Sequence, residues 1–317
     1  MIKFNDKYLT SLKEFTERVD SKQSVIANSR PLSPAVVSKL KDNLSIEWTY
    51  NSNAIEGNTL SLIETKVVLQ DGMTIGKKSL REHFEVINHD RAIHFLDDLI
   101  ATDYALRCID ILSIHELVLN NIDPINAGRI RNIGVYITGA NFTPPSPTKV
   151  SKLLDELVDF INLNPLNLSP VILATVLHHQ FVWIHPFTDG NGRTARLLMN
   201  LILQKAGFPP CIILMNDRHK YYKALNAANN GNYQKLTTLV LQGVERSLNL
   251  YLNIIPGAYQ EYESISNIAQ DIEVPYGAEY ISLLARKGLI DAHKQGRNWV
   301  TTKKAVMDYY TAISHKA

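Results

Sequence analysis

The sequence has few cysteines, little net charge and no long apolar run. Its two cysteines, Cys108 and Cys211, cannot form a disulfide framework, which predicts a reducing, cytoplasmic setting. A formal net charge of +2 over 317 residues neither favours nor excludes nucleic acid as a partner. No basic-then-apolar leader opens the chain, and no run of about eighteen apolar residues occurs. We therefore expect a globular protein that is neither exported nor membrane-bound.

Metal-ligand clusters and a P-loop are also missing. His89 and His94 are five residues apart, not the four that place two ligands on one helical face. No Gly-Lys-Ser/Thr follows the glycines at 190 and 192, which excludes a P-loop. With 45% hydrophobic and 20% charged residues, the composition is typical of a globular chain of about two domains.

Residues 185–196, His-Pro-Phe-Thr-Asp-Gly-Asn-Gly-Arg-Thr-Ala-Arg, combine the features of a phosphate site. Gly190 and Gly192 let the backbone turn sharply and approach an anion closely. The helix that starts near Arg193 offers unpaired N–H groups and the positive end of its dipole. Arg193 and Arg196 are three residues apart, so both guanidinium groups lie on one helical face and are able to grip phosphate oxygens.

Two further side chains add chemistry to this segment. Asp189 is a hard carboxylate of the kind that holds magnesium already bound to phosphates. His185 is able to take a proton near neutral pH. The two glycines also fit a loose dinucleotide fingerprint, with Asp217 as the ribose ligand, but that fingerprint needs a preceding strand. Ser169 and Pro170 instead predict that a helix precedes the motif, which disfavours a βαβ unit.

Segment 185–196 resembles the Fic motif, written His-x-Phe-x-(Asp or Glu)-Gly-Asn-Gly-Arg-x-x-Arg, at every specified position. The resemblance implies a Fic-type helical bundle, with its catalytic core in residues 101–255, that transfers AMP from ATP to a protein hydroxyl with Mg²⁺. It implies that His185 is the base, Asp189 the magnesium ligand and Phe187 the anchor of the loop. It also implies an anion cradle and a phosphate clamp formed by Gly190, Asn191, Gly192, Arg193 and Arg196.

A capped, apolar-striped helix is predicted over about 34–57, within an N-terminal helical region of residues 1–100. Ser52 and Glu56 are four residues apart, so they share a face of this helix. Their segment matches the (Ser or Thr)-x-x-x-Glu-(Gly or Asn) motif of Fic proteins that carry their own inhibitory helix. The resemblance implies that the Glu56 carboxylate pairs with Arg196 and denies that guanidinium to the γ-phosphate of ATP.

Residues 133–143 alternate β-branched and aromatic residues around Gly139, which predicts a small β-hairpin. In Fic proteins a hairpin flap at this place docks the target segment as an added strand. The resemblance therefore implies a protein substrate along this flap, with Thr138 at its nucleotide-facing edge. It also places beside the adenine three residues that follow the motif: Tyr221, Tyr222 and Asn229.

Residues 262–317 are predicted to form a separate small domain, in which two short helices precede a hairpin around Gly296 and a final helix. This order resembles a winged helix. The basic residues on the hairpin side, which would suit DNA phosphates, are Arg286, Lys287, His293, Lys294 and Arg297. Such domains also contact proteins, so DNA and a protein partner both stay open for this region.

We therefore expect a mainly α-helical protein with a hairpin flap and a small C-terminal winged helix. Its expected activity is adenylylation of Ser, Thr or Tyr hydroxyls, on other proteins and on itself, restrained by Glu56. Two alternatives remain: a hydrolase that removes AMP from proteins with a water oriented by Glu56, and a DNA-binding regulator whose Fic core senses a nucleotide. Assembly into a homo-oligomer is a further expectation, since Fic proteins often pair through helical faces.

Overall fold

The computed structural model describes residues 9–102, 104–258 and 260–315, so the predicted regions 1–100 and 262–317 extend partly beyond it. Within these residues the chain is mainly helical with one small sheet, which confirms the predicted fold class. None of the described helices is long and apolar enough to span a membrane.

The helices before residue 260 are α1 (Lys13–Asn28), α2 (Pro34–Ile55), α3 (Leu62–Asp71), α4 (Leu80–Ile100), α5 (Cys108–Leu119), α6 (Pro147–Leu163), α7 (Pro170–Ile184), α8 (Asn191–Lys205), α9 (Arg218–Ala228) and α10 (Gln234–Leu252). The later elements are β1 (Glu263–Ser264), α11 (Ile265–Ile268), α12 (Ala278–Lys287), β2 (Ala292–Gln295), β3 (Asn298–Thr301) and α13 (Lys303–Ser314).

Helix boundaries follow local signals in the sequence. α2 begins at Pro34, as predicted, and the chain turns away after it at Gly57, whose φ of +106° suits glycine. α3 and α4 each start with a capping box, in which Ser61 and Ser79 exchange bonds with the glutamate three residues on. α7 begins at Pro170, so a helix and not a strand precedes the motif, and a dinucleotide-binding βαβ unit is excluded there.

α7 and α8 lie at the centre of the molecule. They contribute side chains to two apolar clusters, one shared with α1, α9 and α10 and the other with α2, α4, α5 and α6. Almost every residue of α8 from Asn191 to Leu203 is buried. The loop that joins these helices, residues 185–190, is therefore fixed at both ends by close-packed core.

The predicted hairpin over residues 133–143 does not form paired strands among the described residues. One tight turn is present at Gly139, whose φ is +81°. Polar groups around the turn bond instead to the end of α9: Asn226 Nδ2 donates to Gly139 O at 3.2 Å, and Asn141 Nδ2 donates to Asn226 O at 3.3 Å. The predicted hairpin is thus corrected to an extended loop, because bonds to α9 replace the expected cross-strand ladder.

The C-terminal part contains an antiparallel sheet in the order β1-β3-β2, with α11 and α12 between β1 and the β2–β3 hairpin. The hairpin packs on the helical core: Asn249 Nδ2 donates to His293 Nδ1 at 3.0 Å, and Lys294 Nζ donates to Asp217 Oδ1 at 2.7 Å. His293 and Lys294 therefore face the protein, which reduces the basic surface predicted for DNA. The exposed members of that basic set are Arg286, Lys287 and Arg297.

Candidate active site

The motif loop is closed by its own side chains. α7 ends at Ile184; the next residue, His185, has a left-handed φ of +50°, and α8 starts after Gly190, at φ +73°. Between them Phe187 is fully buried, and Asn191 bonds to it in both directions. Phe187 N donates to Asn191 Oδ1 at 3.0 Å, and Asn191 Nδ2 donates to Phe187 O at 2.9 Å. Asn191, predicted as part of the anion cradle, therefore shapes the loop through its side chain.

His115 of α5 supports the loop from the core side, and no spacing in the sequence links it to the motif. Its ring stacks on Phe187 with the centroids 3.5 Å apart. Nδ1 accepts from Gly128 N at 3.0 Å, so the ring hydrogen lies on Nε2, which donates to Asp189 O at 3.0 Å. Burial lowers the pKa of His115 to about 4 and so preserves this neutral tautomer. A Cβ at Gly190 would lie 3.2 Å from the ring, which together with its positive φ favours glycine.

His185 has the geometry of a general base. Its Nδ1 lies 3.2 Å from Val182 O, and because a carbonyl only accepts, the ring hydrogen lies on Nδ1 and the Nε2 lone pair is left for a substrate. Burial lowers the pKa of His185 to about 4, and the charge of Arg131 lowers it as well, so the ring is neutral at pH 7. Arg131 also donates to His185 O and to Pro145 O, both at 2.7 Å. This arginine, which has no sequence signal, ties the base to the end of the 133–143 loop.

The end of α2 reaches Arg196 on the motif helix. Arg196 Nε donates to Ser52 Oγ at 3.0 Å, and NH2 donates to Ser52 O and to Glu56 Oε1, both at 2.8 Å. Arg196 is 2% exposed, whereas the Glu56 side chain is 34% exposed. Burial lowers the pKa of Arg196, but Glu56 and Tyr221 outweigh it and the net shift is upward. The structure thus brings Ser52 and Glu56 each within hydrogen-bond distance of Arg196.

The Glu56 carboxylate lies over the first turn of α8. A Cβ added at Gly192 would lie 2.2 Å from Glu56 Oε1 and 3.2 Å from Arg196 NH1. The N–H groups and the dipole of a helix start attract anions at this position. The carboxylate therefore lies at the end of α8 whose N–H groups and dipole favour a negative charge.

Asp189 and Arg193 form the other half of the site. Asp189 Oδ1 accepts from Gly190 N, and Oδ2 accepts from Arg81 NH2, both at 2.6 Å. Burial raises the pKa of Asp189, but Arg193, the Gly190 N–H and Arg81 lower it more, so the carboxyl is ionised at neutral pH. Arg193 is 2% exposed; its NH1 forms an ion pair with Glu85 Oε1 at 3.4 Å, but neither NH1 nor Nε makes a hydrogen bond among the described residues. Because buried donors without a partner are costly, this guanidinium is suited to an incoming phosphate oxygen.

The two tyrosines predicted beside the adenine differ in exposure. Tyr221 is 1% exposed, and its hydroxyl lies 2.9 Å from His178 Nε2 and 3.4 Å from Arg196 NH1. Tyr222 is 37% exposed and packs beside it, with the ring centroids 5.4 Å apart. Tyr221 therefore supports Arg196 from the core, and Tyr222 is the more accessible ring. Thr138, predicted at the nucleotide-facing edge, lies exposed in the tight turn of the 133–143 loop.

Asn229 connects the core to the 133–143 loop. His179 Nε2 donates to Asn229 Oδ1 at 2.9 Å, and Asn229 Nδ2 donates to Asn141 Oδ1 at 2.7 Å. Burial lowers the pKa of His179 to about 4, so its ring stays neutral at pH 7. Both ends of the Asn229 amide are therefore bonded within the protein and hold the loop, while adenine contact by Asn229 stays a prediction.

The donor set at Asp189 fits a magnesium ion that arrives with a nucleotide. Mg²⁺ is usually bound by one or two carboxylates together with substrate phosphates, and not by a cage of protein ligands. Asp189 offers one ionised carboxylate, and its side chain is 46% exposed. The described ranges contain no group of three or more His, Cys, Asp or Glu side chains that would hold a metal alone. Asp189 therefore suits Mg²⁺ only in company with phosphates.

Known proteins share this motif and its surroundings. Residues 105–203 match the Fic/DOC family. Protein adenylyltransferase fic-1 of Caenorhabditis elegans is 44% identical over 208 residues, which are 65% of this chain and 41% of the relative. Protein adenylyltransferase Fic of Nematostella vectensis is 38% identical over 245 residues, which are 75% of this chain and 56% of the relative. The chain thus spans about half the length of these curated relatives.

The fold is shared as well. A solved structure of a Fic-1 fragment from Caenorhabditis elegans superposes with a TM-score of 0.69 and is 39% identical in sequence. The match covers 76% of this chain and 71% of that chain. With the motif loop between two buried helices and the sequence match around it, the chain belongs to the Fic/DOC family.

Proposed function

We propose that this chain is a protein adenylyltransferase, which moves AMP from ATP to a Ser, Thr or Tyr hydroxyl of a protein. The proposal depends on one observation: His185, whose Nδ1 is bonded to Val182 O so that Nε2 is left for a substrate, lies next to a helix start that carries Arg193 and Arg196. A base for the hydroxyl and donors for a polyphosphate are what this transfer requires. The names of the relatives fic-1 and Fic, both protein adenylyltransferases, agree with this chemistry.

In the proposed reaction the target hydroxyl gives its proton to His185 Nε2 while its oxygen forms a bond to the α-phosphorus of ATP. The bond from that phosphorus to the β-phosphate oxygen breaks, and pyrophosphate leaves with the electron pair. The N–H groups at the start of α8 and the Arg193 guanidinium stabilise the charge that grows on the phosphate oxygens. Asp189, together with the phosphates, would hold Mg²⁺, and the bound ion would neutralise part of the phosphate charge.

The 133–143 loop supports the choice of a protein as substrate. It is extended, its backbone lacks a cross-strand ladder, and Ile133 and Tyr136 on it are 57% and 78% exposed. An extended segment of a target is able to pair with such a backbone as an added strand, which brings a hydroxyl close to a base without much demand on sequence. Arg131 donates both to His185 O and to Ile133 O of this loop, so a docked segment would lie beside the base.

We further propose that Glu56 inhibits the transfer. Its carboxylate bonds to Arg196 and lies over Gly192 at the start of α8, so it takes the guanidinium that the γ-phosphate of ATP needs. In this state ATP is expected to bind weakly or in a pose unfit for attack.

The proposal is tested by incubating the wild-type, Glu56→Gly and Glu56→Gly/His185→Ala proteins with Mg²⁺ and α-labelled ATP, and measuring intact mass. We expect one or more added AMP groups on the single mutant alone, from transfer to its own hydroxyls. Label on the double mutant would contradict the role of His185, and strong label on the wild type would contradict inhibition by Glu56.

The same proteins separate this function from its reverse. If no variant is labelled, and the wild type removes AMP from a modified protein while Glu56→Gly does not, Glu56 orients a water and the chain is a de-AMPylating hydrolase. Those two results together would show that the chain removes AMP from proteins and does not add it.

A further inference from the structure

Arg81, in the first turn of α4, takes part in a closed ring of four alternating charges at the motif. Arg81 NH2 lies 2.6 Å from Asp189 Oδ2, and Arg193 NH2 lies 3.4 Å from Asp189 Oδ1. Glu85 Oε1 closes the ring, 3.4 Å from Arg193 NH1 and 3.3 Å from Arg81 Nε. Two of these residues belong to the Fic motif, and the other two come from α4.

The two oxygens of Asp189 are in different situations. Oδ1 accepts the short bond from Gly190 N at 2.6 Å, which fixes the carboxylate to its own loop. Oδ2 remains for a ligand from outside the loop, and Arg81 covers it. A metal ion that binds this oxygen therefore competes with the Arg81 guanidinium for it.

The surroundings of Arg81 keep the free-energy cost of moving it away from Asp189 small. The side chains of Arg81 and Asp189 are 56% and 46% exposed, so water screens their attraction. Glu85 is a second acceptor for the same guanidinium, and it is itself held by Asn58 Nδ2 at 2.9 Å. Arg81 is thus able to leave Asp189 without losing every anionic neighbour.

We propose that Arg81 is a positioning residue that competes with nucleotide-bound Mg²⁺ for Asp189 Oδ2. Arg81 holds the carboxylate in a fixed orientation before the nucleotide arrives, and it gives way when the metal binds. This inference rests on the proposed function, since it assumes that a metal-bound nucleotide enters the site. The consequence is that Arg81 raises the Mg²⁺ concentration at which nucleotide binding is half-maximal.

Calorimetric titration of ATP at a series of Mg²⁺ concentrations tests this competition in the Glu56→Gly background. An exposed ion pair of this kind changes an affinity by up to about fivefold. We expect Arg81→Ala to lower the half-maximal Mg²⁺ concentration by about two- to fivefold. Arg81→Lys keeps the charge and is expected to restore most of the wild-type requirement for Mg²⁺.

Arg91→Ala is the matched control, because it removes the same charge from an exposed position of the same helix, about 15 Å further along. An unchanged or raised half-maximal Mg²⁺ concentration in Arg81→Ala would overturn the inference, as would an equal fall in Arg91→Ala. If ATP binds no variant at any Mg²⁺ concentration, the proposed function itself fails. If ATP binds and its Mg²⁺ dependence is the same with and without Arg81, only the inference about Arg81 fails.

Discussion

Replacing Glu56 by glutamine removes one charge but little volume, and its effect follows from the contacts of Arg196. Arg196 NH2 and Glu56 Oε1 are 2.8 Å apart, and the arginine is 2% exposed. Hydrogen bonds between charged groups contribute about 1.5–3 kcal/mol. The carboxylate is 34% exposed and screened by water, and an amide keeps a weaker bond to Arg196. We therefore expect the free energy of ATP binding to become more favourable by about 1–2 kcal/mol. This corresponds to ATP binding that is about five- to thirtyfold tighter.

The assay is calorimetric titration of ATP and of ADP, both with Mg²⁺, into the wild type and Glu56→Gln. ADP has no γ-phosphate for Arg196 to hold, so it is expected to bind both proteins alike. Glu47→Gln is the matched control, since Glu47 lies on the same helix and pairs with Arg246 at 2.7 Å, away from the motif loop. We expect this control to bind ATP as the wild type does.

Two results would refute the reasoning. If ADP affinity rises as much as ATP affinity, Glu56 acts on a part of the site common to both nucleotides and not on the γ-phosphate position. If neither affinity changes, the contact of Glu56 with Arg196 does not oppose nucleotide binding, and inhibition by Glu56 would have to act on the orientation of the bound ATP alone.

Two further predictions concern the base and the loop. In Glu56→Gly, single-turnover transfer is expected to be independent of pH between about 6 and 8, because His185, with a pKa lowered to about 4, is already neutral there and Glu56 only raises that pKa. A midpoint near 6.5 in the rate profile would contradict this. Asn141→Ala is expected to raise the KM for a protein target by about fivefold while ATP affinity is unchanged, because it removes the two exposed hydrogen bonds that join the loop to Asn226 and Asn229, at about 0.5 kcal/mol each. Equal weakening of ATP binding, measured by calorimetry, would show that the loop is not the part affected.

Local signals made most of the helical framework predictable. The prolines at the starts of α2 and α7 and Gly57 after α2 act within a few residues of their own position, so their effect is predictable from the local sequence alone. The Fic motif is also local, since base, carboxylate and arginines lie within residues 185–196. The pairing of Glu56 with Arg196 spans 140 residues and followed from resemblance, because no spacing rule connects the two positions.

The missed parts depend on tertiary contacts that no periodicity encodes. His115 and Arg81 reach Asp189 from 74 and 108 residues away, and each would be read from sequence as an ordinary helical residue. In the 133–143 loop the sequence predicted strands that the structure does not contain. The alternating pattern of the loop favours strands, but a strand needs a second strand to pair with. Polar groups of the loop form hydrogen bonds to the end of α9 instead.

The anchoring of α2 determines what a substitution at Glu56 measures. A backbone N–H just before α9 donates to Asn51 Oδ1 at 2.8 Å, and Arg218 Nε donates to Ile55 O at 2.7 Å. These bonds hold the last turn of α2 through groups other than the Glu56 side chain. The helix therefore keeps its place when the carboxylate is lost, so a gain in ATP affinity belongs to the negative charge removed from beside Arg196 and Gly192 and not to a displaced helix.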